Sequence, residues 1–260
     1  MHETANSRPP WGARVNRKAI STLISGAPRL FYTAKKTELT LRYLLGPLFE
    51  PDFLAISRLV DRQRRLSIVD VGANIGQSAI DFGRLFRKAR IHSFEANPSL
   101  ESFLKLTGTL LGPRFHYDLV GLSDAPGTMD IYVPRRHDVH IYGEASLHPA
   151  QFDDAITRAR IGEFTLDHFP VRVSTLDQQG LASVDILKID VQGHELQVLQ
   201  GARETIQREH PLIIFERSPA DSLIIDYLQS MHPYTAMAPR DGSLRPVHEV
   251  SEHVNVVMLP

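Results

Sequence analysis

The chain has 260 residues, 42% hydrophobic and 23% charged, with 29 basic against 30 acidic side chains and no cysteine. That length suits one α/β domain with an extension, or two small domains, and can bury a core without covalent staples. The near-cancellation of charge excludes a global basic field for nucleic acid, and the lack of cysteine excludes disulfides, thiolate metal sites and a cysteine nucleophile.

In chain order, residues 1–14 contain Pro9, Pro10 and Gly12 and read as a flexible arm. The first 36 residues carry Arg8, Arg14, Arg17, Lys18, Arg29, Lys35 and Lys36 against a single acid, Glu3. Val15, Ala19, Ile20, Leu23 and Ile24 lie beside that charge at roughly helical spacing. Two readings fit: a basic tail leading into a packing helix, or a segment that touches a membrane surface or another anionic partner. No apolar run approaches the roughly 18 residues needed to span a bilayer. A secretory h-region is also missing, so the expected location is cytoplasmic, with membrane association through the basic segment as the option. Residues 15–63 look helical in pieces, broken at Gly26–Pro28 and Gly46-Pro47, so residues 1–65 read as a basic, mainly helical extension. Within it, Asp52 looks like the cap of a helix over Asp52–Asp61 that puts Phe53, Ile56, Leu59 and Val60 on one face.

From residue 66 short apolar runs alternate with helical ones. Strands are expected at Leu66–Val71, Arg90–Phe94, Phe115–Val120, Val184–Ile189 and Leu212–Phe215. Helices are expected after the first strand (Ile75, Ala79, Phe82 and Phe86 on one face), over Ser99–Leu110 with Ser99 as N-cap, and over Glu195–Gln207. This alternation implies an α/β fold, a mostly parallel sheet covered on both faces. Gly127–Val133 and Val171–Thr175 read as an added hairpin or flap spanning about residues 127–176, with a polar stretch between them. Val254–Leu259 reads as a closing strand that slots in antiparallel.

Ligands of such sheets sit beyond the carboxyl ends of the strands. Five strand ends carry or adjoin a carboxylate: Asp70, Glu95, Asp124, Asp190 and Glu216. Buried carboxylates are expensive without partners, so their gathering at one edge suggests a site. The first element is Val69–Gly76, with glycine at 72 and 76 and a helix N-terminus directly after. It is not the G-x-G-x-x-G dinucleotide signature, since position 74 is asparagine. Asp70 suits a ligand with positive groups rather than a pyrophosphate. S-adenosylmethionine matches, with an ammonium and a sulfonium for Asp70 and a carboxylate for the helix N-terminus. A plain strand–glycine–helix corner is the alternative. Glu95, 25 residues after Asp70, can accept both ribose hydroxyls of an adenosine group, or be an exposed loop acid. Val120–Asp124 can hydrogen-bond an adenine or be an ordinary turn.

These strings resemble the FkbM family of methyltransferases. The resemblance rests on IVDVGANIGQSAIDFG, FEANP, VGLSD, TLD, ILKIDVQGHELQVLQGA and IIFE, and the closing VNVVMLP is similar to that family's last strand. It covers roughly residues 66–260 and leaves the first 65 unmatched. The resemblance implies a doubly wound, seven-stranded, Rossmann-like sheet of the class I methyltransferase type, with an antiparallel last strand. It implies S-adenosylmethionine held by Asp70, Gly72, Asn74, Gly76 and Glu95. Ala73 and Asn97 belong to the same two loops, Ser123 and Asp124 lie nearby, and Asp190 is a further candidate. It implies methyl transfer to a hydroxyl oxygen, often on a sugar, glycan, glycolipid or other secondary metabolite. The family commonly has glutamate where this chain has Gln192, which removes a carboxylate role there.

For such a transfer the protein must align the acceptor oxygen and take its proton. His194 is the first candidate base, because it follows Asp190 by one helical turn and titrates near neutrality. Asp190 is the second, or it holds the cofactor ammonium, and Glu216 is placed to orient a substrate hydroxyl. A rival arrangement makes Asp190 and Glu216 ligands of a divalent metal, a set too small to support one by itself. The flap carries His137, His140, Tyr142, His148 and His168, with Gly143–Leu147 as a small-residue stretch that could touch the acceptor. Two other functions compete: a nicotinamide- or nucleotide-sugar-binding oxidoreductase, and a non-catalytic cofactor-binding protein of the same fold. The missing G-x-G-x-x-G and Tyr-x-x-x-Lys patterns count against the first. The intact polar strand ends count against the second.

Overall fold

The computed structural model describes residues 28–136, 139–142, 145–147, 149–153, 163–250 and 255–260. The sequence readings for the N-terminal arm and for His137, Gly143, Glu144 and His148 lie outside the described residues. The strands of the main sheet are β1 (Ser67–Val71), β2 (Arg90–Phe94), β3 (Phe115–Asp118), β8 (Ile186–Ile189), β9 (Leu212–Glu216), β10 (Thr235–Arg240), β11 (Ser243–Pro246) and β12 (Asn255–Leu259). They are ordered β11-β10-β12-β9-β8-β1-β2-β3. The five from β3 to β9 are parallel neighbours, and β12 enters antiparallel between β9 and β10.

The expectation of seven strands is thus corrected to eight. The extra strand comes from a hairpin of β10 and β11, turned at Asp241-Gly242 with φ of 51° and 73°. Two consecutive positive φ values are what a two-residue hairpin turn demands, and Asp-Gly is a sequence signal for it. A second sheet holds β4 (Gly121–Leu122), β5 (Gly127–Arg136), β6 (Val139–His140) and β7 (Thr165–Ser174), ordered β4-β7-β5-β6. Here the expected hairpin is longer than its apolar stretches, because β5 and β7 stay paired from Gly127↔Val173 out to Arg135↔Thr165.

Alternation along the strands sends side chains to two cores. On one face Val69, Leu187, Ile189, Ile213 and Phe215 meet α5 (Glu195–Gln200), α6 (Arg203–Glu209) and α7 (Asp221–Gln229). On the other, Ile68, Ile91, Ile186 and Ile214 meet α1 (Pro28–Leu45), α2 (Phe53–Ile56), α3 (Gln77–Leu85) and α4 (Glu101–Leu111). Helices therefore cover both faces, as the alternation predicts. Among the described residues no helix is long and apolar enough to cross a membrane.

Three helix expectations are corrected. The single helix over Glu195–Gln207 breaks at Gly201-Ala202, where a Cβ on Gly201 would stand 1.9 Å from the Ser123 carbonyl oxygen. The cap before α4 is Asn97, not Ser99: the Asn97 Oδ1 accepts the Ser99 N–H at 3.0 Å at the start of a 3₁₀ turn over Pro98–Leu100. The Asp52–Asp61 helix stops after Ile56, and Asp52 accepts a hydrogen bond from Asn255 Nδ2 of β12 at 3.2 Å instead of capping. Leu59 is consequently exposed.

The segment around α2 nevertheless belongs to the core. Phe53 is wholly buried and stacks on Phe82 of α3, with ring centroids 4.4 Å apart. Replacing Phe53 by alanine is expected to cost about 3–5 kcal/mol. The control Leu59→Ala should stay within about 0.5 kcal/mol. Urea unfolding of both variants checks the contrast.

Candidate active site

The parallel register of β1 with β2 and β8 sets Ser93, Asp70 and Lys188 side by side. One step earlier along the same face stand Ile91, Ile68 and Ile186, all in the apolar core. The polar row therefore begins where the hydrophobic row ends, at the carboxyl ends of the strands. Lys188 Nζ lies 3.3 Å from Asp70 Oδ1 and 3.4 Å from Asp190 Oδ2, and donates to the Gly72 carbonyl at 3.4 Å. Ser93 Oγ donates to Asp70 Oδ2 at 3.0 Å. Asp70 and Lys188 are both buried. Burial opposes the lysine's charge, but the facing Asp190, Asp70 and Glu50 carboxylates outweigh it and hold the ammonium above its ordinary pKa. Burial likewise raises Asp190, and Lys188 with the Gln192 amide outweighs it, leaving that carboxyl below its ordinary range.

Gly72 is the turn that lets β1 and β8 end this close together. Its φ is 77°, and a Cβ would sit 1.8 Å from the Asp190 carbonyl oxygen. Across the turn, Glu95 uses both oxygens to tie its own loop to the glycine turn: Oε2 accepts the Asn74 N–H at 2.7 Å and Oε1 the Asn97 N–H at 2.8 Å. Burial pushes its pKa up to about 7, against the lowering effect of those two N–H groups.

Gly72, Asn74, Glu95 and Asp190 line one pocket at the point where strand order reverses between β1 and β8. The flap supplies the opposite wall, notably Tyr142, Ser146 and Leu147. Ser146 Oγ donates to the Gln192 carbonyl at 3.0 Å and helps to narrow the cavity to about 100 Å³.

The remaining sequence candidates stand elsewhere. Asp70 lies behind the pocket wall, because Lys188 on the next strand claims its carboxylate. Ala73 is buried in the apolar core, Gly76 caps α3 with φ 89°, and Asn97 is buried as the cap before α4. Ser123 bonds both Asp124 Oδ1 and His194 Nε2, each at 2.9 Å, and Asp124 is exposed. His194 is buried and stands at the residue just before α5 rather than one helical turn after Asp190. The reason is the loop between them, where Gln192 and Gly193 take φ of 55° and 95°. Glu195 holds that loop by accepting the Val191 and Gly193 N–H groups at 3.2 and 3.1 Å. Of the flap histidines, His140 bonds Asp167 at 2.9 Å and His168 stacks on Tyr132.

Two residues escaped the sequence reading. Lys188 was legible as a charge inside the buried run Ile186–Ile189, which requires a paired partner. Gln192 gave no signal beyond its departure from the family's glutamate. Its Nε2 donates to Asp190 Oδ1 at 3.0 Å and to Glu216 Oε2 at 2.7 Å, which a carboxylate could not do. Burial and the Asp190 charge push Glu216 up to about 8. An amide donor between the two carboxylates does not suit them as a metal-ligand pair. Among the described residues no group of three or more ligand-type side chains converges.

Removing the lysine charge leaves Asp70 buried without its counter-ion. Lys188→Met is expected to destabilise the fold by about 3–5 kcal/mol, and adding Asp70→Asn should recover most of that loss. Urea denaturation of the single and double variants reads this out.

A family model for the methyltransferase FkbM domain matches residues 70–234. A methyltransferase, sdnD, from Sordaria araneosa is 28% identical over 166 residues, covering 53% of this chain and 60% of that protein. The 2-O-methyltransferase NoeI from Sinorhizobium fredii is 30% identical over 151 residues, covering 54% and 59%. The matched part thus spans about three-fifths of the length of these curated relatives. A crystal structure of methyltransferase FkbM from Methylobacillus flagellatus aligns with 93% of this chain and 57% of its own, at 17% identity and a TM-score of 0.49. The family match runs from the carboxylate at the end of β1, through the Glu95 loop and the Lys188–Asp190 strand end, to the far side of α7, and by it the chain belongs to the FkbM methyltransferase family.

Proposed function

We propose that this chain is an S-adenosylmethionine-dependent O-methyltransferase that modifies a hydroxyl group on a sugar, glycan, glycolipid or other secondary metabolite. The observation that carries the reading is the convergence of Glu95, the Gly72–Asn74 turn and Asp190 on one pocket at the strand-order reversal. The donor set suits the cofactor's adenosine end: a carboxylate oriented by two backbone N–H groups for a diol. When bound, S-adenosylmethionine supplies a methyl group activated on a sulfonium. The similarity to a 2-O-methyltransferase supports oxygen as the acceptor. Residues 66–260 then form the catalytic unit, with the flap over the acceptor side.

Glu95 accepts the ribose hydroxyls. Asp190, ionised and facing the pocket, receives the acceptor's proton, while Gln192 holds Glu216 against it. His194 is set on Ser123 and supports the β4 end of the wall rather than reaching the acceptor. A cavity of about 100 Å³ is below the roughly 300 Å³ of small-ligand pockets, so Tyr142, Ser146 and Leu147 must draw back when an adenosine group enters.

Three outcomes test this. With a free-protein pKa of about 7, Glu95 is protonated below that pH and cannot accept both hydroxyls. Calorimetric affinity for S-adenosylmethionine should therefore tighten as pH rises through 7. Glu95→Gln should weaken binding about tenfold or more and flatten that dependence. Asp190→Asn should lower kcat about a hundredfold or more while cofactor affinity stays within a few-fold. A matching loss of affinity instead would assign Asp190 to the cofactor ammonium. Because Glu216 ionises near 8, the wild-type rate should rise through that pH, and Glu216→Gln should abolish the rise.

A further inference from the structure

A helix on a protein surface ordinarily turns its polar side to water. The first helix presents an apolar stripe outward as well as inward. Its outward positions include Leu30, Ala34, Thr37, Leu41, Leu44 and Leu45, close to an alternating three-and-four spacing, and none carries a charge. Leu30 and Leu44 are each 60% exposed, Leu41 54% and Leu45 87%. Single exposed leucines are ordinary, but four along one helical face form a patch that marks an interaction site. The charged side chains of α1 stand at its flank, where Glu38 pairs with Lys35 at 3.0 Å and with Arg42 at 3.4 Å.

At Arg42 and Leu44 the stripe opens into a groove of about 1410 Å³ whose walls also carry Arg84, Arg87 and Arg114. Nη1 of Arg84 is buried there without a hydrogen-bond partner. Arg114 borders a second hollow with Arg65, Lys88 and Arg90. A basic margin therefore runs beside the leucines, at the amino ends of β1 to β3 and away from the pocket.

We propose that this face docks on an anionic lipid surface, with the α1 leucines entering the headgroup boundary and the basic margin meeting the lipid phosphates. Charge decides the occupant. A second copy of the chain would bring a second basic margin, whereas an anionic bilayer offers an apolar layer and a negative one at the matching depths. The proposal places surface contact on α1 and the sheet's basic end rather than on the basic tail, and it does not depend on the methyl-transfer reading.

The test is co-sedimentation of the full chain with phosphatidylcholine vesicles, with and without phosphatidylglycerol. Binding is expected only with the anionic lipid and should fall as salt rises. Leu41→Ser combined with Leu45→Ser should lower partitioning about tenfold. Replacing the exposed pair by Arg87→Gln and Lys88→Gln should lower it about fivefold per charge. Unchanged thermal midpoints show that both variants are folded. Equal binding to both vesicle types, binding to neither, or a lipid-free dimer that the leucine variant dissolves would each overturn the proposal. In the last case the face belongs to a second copy.

Discussion

A lysine ammonium in the middle of a parallel sheet sets the terms for the site. Lys188 is flanked by strands on both sides and has almost no contact with water. An unpaired charge there would cost more than a small domain can offset, so its counter-ions must be built in. Asp70 and Asp190 provide them, and the Gly72 carbonyl adds an acceptor. This demand fixes the register. A one-residue slip between β1 and β8 would send Asp70 or Lys188 to the opposite apolar face. The arrangement that satisfies the lysine also brings the ends of β1 and β8 within contact, and the pocket opens there.

The polar row is therefore partly structural and partly available for chemistry. Asp70 is spent on Lys188, while Asp190 shares the lysine yet keeps a face toward the pocket. Glu216 enters through Gln192, whose left-handed backbone turns the amide between the two acids. Burial raises Glu216 and the Lys188 charge lowers Asp190, so neighbouring acids carry different protonation states at neutral pH. Such divergence within one cluster is what acid–base chemistry uses.

The sequence made the strands and the pocket's location legible because both follow from short-range regularities: apolar runs, glycine spacing and carboxylates at strand ends. It did not separate the carboxylates by role. Asp70 and Asp190 look alike in one dimension, and only the cross-strand pairing shows that Lys188 and Ser93 flank the first. His194 was misplaced for a related reason. The Gln192-Gly193 turn delays the helix, so a spacing that suggests one helical turn delivers the ring to Ser123. The β10–β11 hairpin was written in Asp241-Gly242, but its strands carry too little alternation to stand out. The helix Asp221–Gln229 also went unread, although Ile224 and Leu228 are four apart and both fully buried.

The first helix joins these parts in a way that no motif indicates. Leu39 on its inner side is buried in the core that also holds Phe53 and Phe82. Near its amino end Tyr32 packs edge-on against Phe103 of α4 and donates a hydrogen bond to the Tyr142 hydroxyl at 3.3 Å. Tyr142 lines the pocket. The flap wall is therefore braced from outside by a helix that the sheet fold itself does not require. A displacement of α1 would disturb its buried leucine, the Lys36 contact over the Phe103 ring and the tyrosine pair. The pair, joined by one long hydrogen bond and a tilted ring contact, is weaker than the buried leucine's packing. The flap wall can thus loosen from α1 without unfastening the helix from the core.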